Sequence, residues 1–269
     1  LPEFPRGRVA WSPRAWRGAL FWPLDEVARP FQGLDDWPSI AHYDAFVAPL
    51  AGVRFRLAAP RRRRWRRRET EGAAVGYDAS ICEEGLVPTR IGNWHDFFNA
   101  LVWGAYPRAK RALHRRQYEA TRARPVGQGP RSRREDTLAL LDEGGVVLLC
   151  EKEEAARVRA ALEARDDGPP RRAAARGRLL AAVFGHAAFE HLARRAASPV
   201  HALAHLVACE RIPERADERR RLADLALAEA LVDPQRRISR TARVSLPLAA
   251  SERSTPAWPP ARSPAQRRP

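Results

Sequence analysis

The chain has 269 residues, 45% hydrophobic and 30% charged, proportions that leave enough apolar side chain for a core and exclude wholesale disorder, collagen and a membrane bundle. Its 48 basic and 32 acidic residues give a formal charge of +16, a balance that in general points toward nucleic acid or another anionic surface. All of the basic residues except Lys110 and Lys152 are arginine, and with abundant alanine and no methionine this reads as the composition of a GC-rich genome more than as selection for phosphate binding.

Trp11, Trp16, Trp22 and Trp37 are interspersed with Pro13, Pro23 and Pro30 without a helical or strand period, which predicts an irregular arm laying aromatic rings on the body. Ile40, Tyr43, Phe46 and Val47 share one helical face, with Pro38 at a first-turn position and Ser39 beside it, so a short helix is predicted over 39–47. Val53, Phe55 and Leu57 alternate with Arg54 and Arg56 as an amphipathic strand does. A basic loop is then expected over 59–75, centred on Arg61, Arg62, Arg63, Arg64, Trp65, Arg66, Arg67 and Arg68. Seven guanidinium groups so close repel one another and stay solvated. Met by a nucleic acid they would pair with phosphates while Trp65 stacks on a base; otherwise the run is an arginine-enriched insert.

Residues 93–103 form the clearest predicted helix, with Asn93 as N-cap and Asp96 at N3, at the positive end of the helix dipole. Pro107 ends it and starts another through Lys110, Leu113, His114 and Tyr118. Residues 138–142 and 146–149 flank Glu143, Gly144 and Gly145, which reads as a β-hairpin with a glycine turn. A charged surface helix is predicted over 151–165, ended by Asp166, Asp167, Gly168, Pro169 and Pro170. An apolar helix follows over 179–195, with His186 and Glu190 four apart on one face. Residues 201–209 are open between strand and helix, and 214–231 read as a helix. These elements make one domain over 1–235, followed by a Pro/Ser/Arg-rich tail over 236–269 that is expected to be mostly disordered.

Cys82, Cys150 and Cys209 are far apart and odd in number, which argues for a reducing compartment, with the cytoplasm as the default. Arg14 and Arg17 interrupt the first apolar stretch, so no signal-peptide core forms there. The apolar run over 179–189 is too short for a bilayer, which needs about 20 residues, and the protein is expected to be soluble. Leu1 reads as an alternative start or the edge of a fragment.

Several chemical motifs fall short. Glu151 and Lys152 approach a nuclease pattern, but the position that should be acidic is Cys150. His95-Asp96 is the doublet of HD-type phosphohydrolases, with His42 ahead of it, yet a doublet is common by chance. His201, His205 and Cys209 would align as zinc ligands only on a helix; otherwise they are two polar histidines and a small core cysteine.

The better constellation is dispersed: His95, Asp96 and Asn99 on one helix, Asp142 and Glu143 at the hairpin, His186 and Glu190 on a later helix. Imidazoles titrate near neutrality and carboxylates orient them, so such a group binds a divalent metal or trades protons. Each residue also has a local explanation, Asp96 in a cap, Asp142 and Glu143 solvating a turn, His186 bonded in the core.

Val87-Pro88-Thr89-Arg90, residues 93–103, Tyr106-Pro107-Arg108-Ala109-Lys110, Arg131-Ser132-Arg133, Asp136, residues 140–145 and residues 184–190 together resemble the bacterial domain-of-unknown-function family 3025. The resemblance runs from Trp37 to about Leu231. It implies no established activity, and its polar pattern exceeds what packing requires. The chain departs from it at Ser80, where the family pattern has arginine, and in the closing segment, echoed only by Leu246-Pro247-Leu248 and Trp258-Pro259.

The sequence thus predicts an α+β, helix-dominated domain with a small antiparallel sheet made of the 53–57 strand and the hairpin around Gly144. The first functional expectation is a cytoplasmic hydrolase with an acid/base or divalent-metal site. His95 and His186 would be ligands or proton-transfer groups, and Asp96, Asp142, Glu143 and Glu190 their carboxylate partners. Arg90, with Asn93, Asn99 and Lys110, would hold an anionic substrate. The alternative is a non-catalytic nucleic-acid-binding or interaction protein that uses the Arg61 to Arg68 run.

Overall fold

The computed structural model describes residues 10–58, 70–123, 132–194, 199–233 and 238–248, and they form a helix-dominated α+β domain. Two 3-10 segments, Ala19–Leu24 and Arg29–Gly33, flank α1 (Asp25–Ala28), and α2 (Ile40–Phe46), α3 (Ala48–Ala51) and β1 (Arg54–Leu57) follow. Next come α4 (Thr70–Glu84), β2 (Leu86–Thr89), α5 (Trp94–Ala105), α6 (Pro107–Arg122), α7 (Arg133–Gly144) and β3 (Gly145–Glu151). The rest of the order is α8 (Lys152–Ala164), α9 (Gly168–Ala175), β4 (Leu179–Val183), α10 (His186–Arg194), β5 (Val200–Cys209), α11 (Ala216–Val232) and β6 (Arg243–Leu246).

Helix α5 is the axis of the core. Asn93 caps it, its side chain accepting from the Asp96 N–H at 3.0 Å, and every residue of the helix except His95 is buried. A helix apolar on all sides must be covered on all sides, and the N-terminal segment supplies part of that cover. Trp11 stacks on Trp94 with ring centroids 5.3 Å apart, Trp16 and Phe31 pack on Phe97, and Phe21 touches both Phe98 on α5 and Phe189 on α10. The aromatic arm expected from the tryptophans is therefore present, but between 19 and 33 it is made of short helical turns. Ser39, rather than Pro38, starts α2: it is the N-cap of a capping box whose N3 side chain is His42.

The expected single antiparallel sheet is replaced by two sheets. Strand β1 pairs in parallel with β2, Phe55 opposite Val87, a partner invisible to the alternation of Val53 to Leu57. The four-stranded sheet has the order β4-β3-β5-β6, with β3 antiparallel to β4 and parallel to β5. Residues 145–150 of β3 are wholly buried, and a continuous apolar run is what a central strand covered on both faces requires.

The hairpin around Gly144 does not exist. Residues 138–142 belong to α7, which opens on a capping box in which Ser132 accepts from the Glu135 N–H and Glu135 accepts from the Ser132 N–H. Gly144 and Gly145 mark a direct helix-to-strand passage: a Cβ on Gly145 would stand 2.4 Å from the Leu141 carbonyl oxygen. The predicted 179–195 helix divides into β4 and α10, because residues 179–183 are the strand that pairs with β3. Gly168, Pro169 and Pro170, expected to end a helix, begin α9, where proline suits the first turn. The ambiguous 201–209 segment is a strand, so His201, His205 and Cys209 do not line up as three ligands. Part of the expected disordered tail is β6, paired with β5. Thr70–Glu84 is helical, so α4 occupies the last positions of the expected basic loop. No helix among the described residues is long and apolar enough to cross a membrane.

Candidate active site

The junctions of the larger sheet build the site. Because Val146 pairs with Val183, the start of β3 and the end of β4 lie side by side, and so do the C-terminus of α7 and the N-terminus of α10. The Gly145 carbonyl accepts the N–H groups of both Phe184 and Gly185 at 2.9 Å. Gly185 is there because nothing larger fits: a Cβ on it would meet Glu143 O, Gly144 N and Gly145 N at 2.5 Å each. This contact sets Asp142 and Glu143 beside His186 and Glu190. The first turn of α5, packed across α10, brings His95 to the same point.

The Nε2 atoms of His95 and His186 face each other at 2.9 Å. Glu143 Oε2 lies 3.5 Å from His186 Nε2 and 4.0 Å from His95 Nε2, and these three residues form a group of metal-compatible spacing. On its far side each imidazole turns Nδ1 toward a carboxylate. His95 Nδ1 is 3.3 Å from Glu190 Oε2, and Glu190 accepts from Arg194 at 2.8 Å. His186 Nδ1, buried and without a hydrogen bond, has Asp142 Oδ1 3.9 Å away. Asp142 in turn accepts from Lys110 Nζ at 2.6 Å.

Burial and charge divide the two histidines. His186 is 4% exposed; burial, reinforced by the charges of Lys110 and His95 and opposed by Asp142, pushes its pKa down to about 3. Burial also acts downward on His95, but its hydrogen bond to Glu190 and the charges of Glu143 and Glu190 outweigh it and hold this ring above the ordinary histidine value. Burial raises Glu143, against the opposing pull of His95. Burial would raise Asp142 as well, yet the adjacent Lys110 ammonium wins and keeps it well below the carboxylate range.

Lys110 is fully buried. Besides Asp142 it donates to Asn99 Oδ1 at 2.9 Å, and Asn99 Nδ2 contacts the Tyr77 hydroxyl at 3.0 Å. One turn along α6, His114 Nδ1 meets Asp78 Oδ1 at 2.8 Å. These groups form a polar layer beneath the histidines. Lys110 and Asn99 lie in this layer, Lys110 bridging Asn99 and Asp142 from inside.

The structure brings together His95, Glu143, His186 and Glu190, with Asp142 behind His186, and it sets others apart. Asp96 turns away from the cluster: Arg90 donates to it from the backbone N at 2.6 Å, from Nε at 2.8 Å and from Nη2 at 2.7 Å. Arg90 thus makes a fork-to-carboxylate pair with Asp96 while its side chain stays 56% exposed, and Asn93 caps α5. His42 is engaged in the α2 capping box, and the metal-compatible group among the described residues does not include it. His201, on β5, contacts Ser245. Residues 61–68, with Trp65, lie outside the described residues. Tyr77, Asp78 and His114 join the site without a motif of their own; the hint in sequence is that Lys110 and His114, four apart, share a face of α6 with the apolar Leu113 between them.

Fold and site define an α+β protein with a histidine–carboxylate cluster at the junction of three helices and a sheet edge. The chain belongs to the family described as "Protein of unknown function (DUF3025)", whose model matches residues 66–260. No curated protein and no solved structure matches it.

Proposed function

We propose that the protein is a hydrolase whose reacting water is activated among His95, His186 and Glu143. The observation that supports this best is the convergence of two imidazole Nε2 atoms and one carboxylate oxygen from three different helices, with a carboxylate behind each imidazole. Packing alone does not call for it. The Glu143 side chain is 51% exposed and that of His95 32%, so the cluster is open to solvent on the side of these two groups, while His186 forms its floor.

In this reading a water beside Glu143 adds to a carbonyl or phosphoryl centre as Glu143 takes its proton. The bond to the leaving group breaks, and the leaving atom takes the electron pair together with a proton from His95; Glu143 then returns its proton to His95. Glu190 keeps the His95 ring turned toward the reaction, and Asp142, held by Lys110, does the same for His186. The three free cysteines support a cytoplasmic setting, and the family resemblance a bacterial one.

The test is a panel of chromogenic carboxylic esters, amides, phosphomonoesters and phosphodiesters, offered to the full chain and to Glu143→Gln. Turnover of one bond class that falls by about 100-fold or more in the variant supports the reading, since a positioned acid or base contributes about 10²–10⁴. Turnover equal in both proteins overturns it.

A further inference from the structure

We infer that His95 Nε2, His186 Nε2 and Glu143 Oε2 form a binding site for a divalent transition metal of the zinc class, with Glu190 and Asp142 orienting the two imidazoles toward it. The inference rests on the hydrolytic reading for the ion's use, not for its binding, and with an ion bound the roles change: His95 Nε2 and Glu143 Oε2 would be ligands, and the ion would take over the activation of water.

The first argument is about lone pairs. An imidazole whose Nδ1–H points at a carboxylate presents a bare acceptor at Nε2. Glu190, 3.3 Å from His95 Nδ1, favours that tautomer in His95, and His186 turns Nδ1 toward Asp142 at 3.9 Å; with Nδ1 protonated in both rings, two such acceptors meet at 2.9 Å. The Glu143 oxygen, also an acceptor, stands 3.5 and 4.0 Å from them. Three acceptors aimed at one point repel one another unless something positive lies between them. A shared proton can bridge two of them, whereas a cation serves all three.

The second argument is about size. A point equidistant from three atoms with these separations lies about 2.1 Å from each, and bonds from zinc to imidazole nitrogen or carboxylate oxygen run to about 2.0–2.2 Å. The donors therefore need little movement to close on an ion of that radius.

The third argument is about the surroundings. A histidine that binds a metal usually gives its other ring N–H to a carboxylate, which fixes the tautomer and makes the ring a better donor. Here His95 has that arrangement with Glu190, while Asp142 faces His186 Nδ1 from 3.9 Å without a hydrogen bond, and each carboxylate has its own cation, Arg194 on Glu190 and Lys110 on Asp142. Two nitrogen donors and one oxygen favour zinc, cobalt, manganese or iron over magnesium and calcium, which prefer all-oxygen sites. Two histidines and one carboxylate also leave a position for water, whose proton such an ion makes easy to remove.

The experiment uses the full chain, stripped with a chelator and titrated with cobalt(II) in the visible range and with zinc by calorimetry. One ion per chain is expected, undisturbed by a hundredfold excess of magnesium. Glu143→Gln and His95→Asn, both at the exposed side of the cluster, should weaken binding by about 100-fold or more, and Glu190→Gln, behind the ligands, by about 10–100-fold. His201→Asn, on β5, should bind as the parent does, and melting curves establish that each variant is folded. Absence of binding, or binding indifferent to Glu143→Gln and His95→Asn, overturns the inference. Binding without turnover on the substrate panel upholds the metal site and removes the hydrolase; turnover that survives the chelator, with no ion bound, does the reverse.

Discussion

His95 and His186 stand 91 residues apart in the chain, and their Nε2 atoms are 2.9 Å apart in the fold. One is partly open to solvent and its pKa is raised; the other is buried and its pKa is pushed down to about 3. Their titrations should differ accordingly. In metal-stripped protein followed by histidine-selective NMR, His95 should protonate above the ordinary histidine range, and His186 should stay neutral until the solution is strongly acid. The raised group stabilises the fold below pH 6.5, and that contribution is lost as pH rises through its folded pKa. The depressed group acts oppositely, costing stability once pH falls below 6.5, where the unfolded ring would be charged. Two rings titrating together near pH 6.5 would contradict the arrangement.

Lys110 and Asp142 make a buried ion pair at 2.6 Å. Lys110→Met should cost about 3–5 kcal/mol in a denaturant melt, because it leaves a carboxylate in the interior without its partner. Adding Asp142→Leu should recover much of that loss while weakening the site, since an apolar pair of similar volume tolerates burial and cannot orient His186. A loss under about 1 kcal/mol for the single variant would show that Asp142 finds water.

Gly185→Ala tests the junction. The added methyl group would meet three backbone atoms of residues 143–145 at 2.5 Å, and backbone cannot swing aside as a flexible side chain can. A cost of about 1–3 kcal/mol is expected from such crowding, together with loss of metal binding as α10 moves off α7. A variant with the parent's melting temperature and metal affinity would contradict the close approach.

Arg90 should act on stability through Asp96. Arg90→Ala leaves this mostly buried carboxylate only its bond to the backbone N–H of residue 90, and about 1–3 kcal/mol should be lost. Arg90→Lys should be nearly as damaging, since an ammonium cannot reproduce the two-pronged contact. If Arg90→Lys raised KM for an anionic substrate and left the melt unchanged, the arginine would be a substrate anchor after all.

The sequence was most informative where the signal is local. Asn93 and Asp96 at cap spacing identify α5, Pro107 identifies the start of α6, and His186 and Glu190 four apart do share a face of α10. It misled where a short apolar run decides between strand and helix: residues 138–142 look like a strand, and the capping box of Ser132 and Glu135 that marks them as helix lies six residues upstream. Residues 179–183 look like the start of α10 because only the distant partner β3 makes them a strand. The grouping of His95, Glu143, His186 and Glu190 could be suspected from residue type. The burial of Lys110 beneath them could not, because a lone lysine on a polar helix ordinarily reads as solvated.

The claim that His95, His186 and Glu143 work as one unit is tested most directly by a double-mutant cycle on whichever substrate the panel identifies. Groups that act together are strongly non-additive, since removing one already disables the others. Glu143→Gln and His95→Asn should each lower kcat/KM by about 100-fold or more, and the double variant should be no slower than the worse of the two. Effects that multiply in the double variant, or single variants that turn over at the parent's rate, would contradict it.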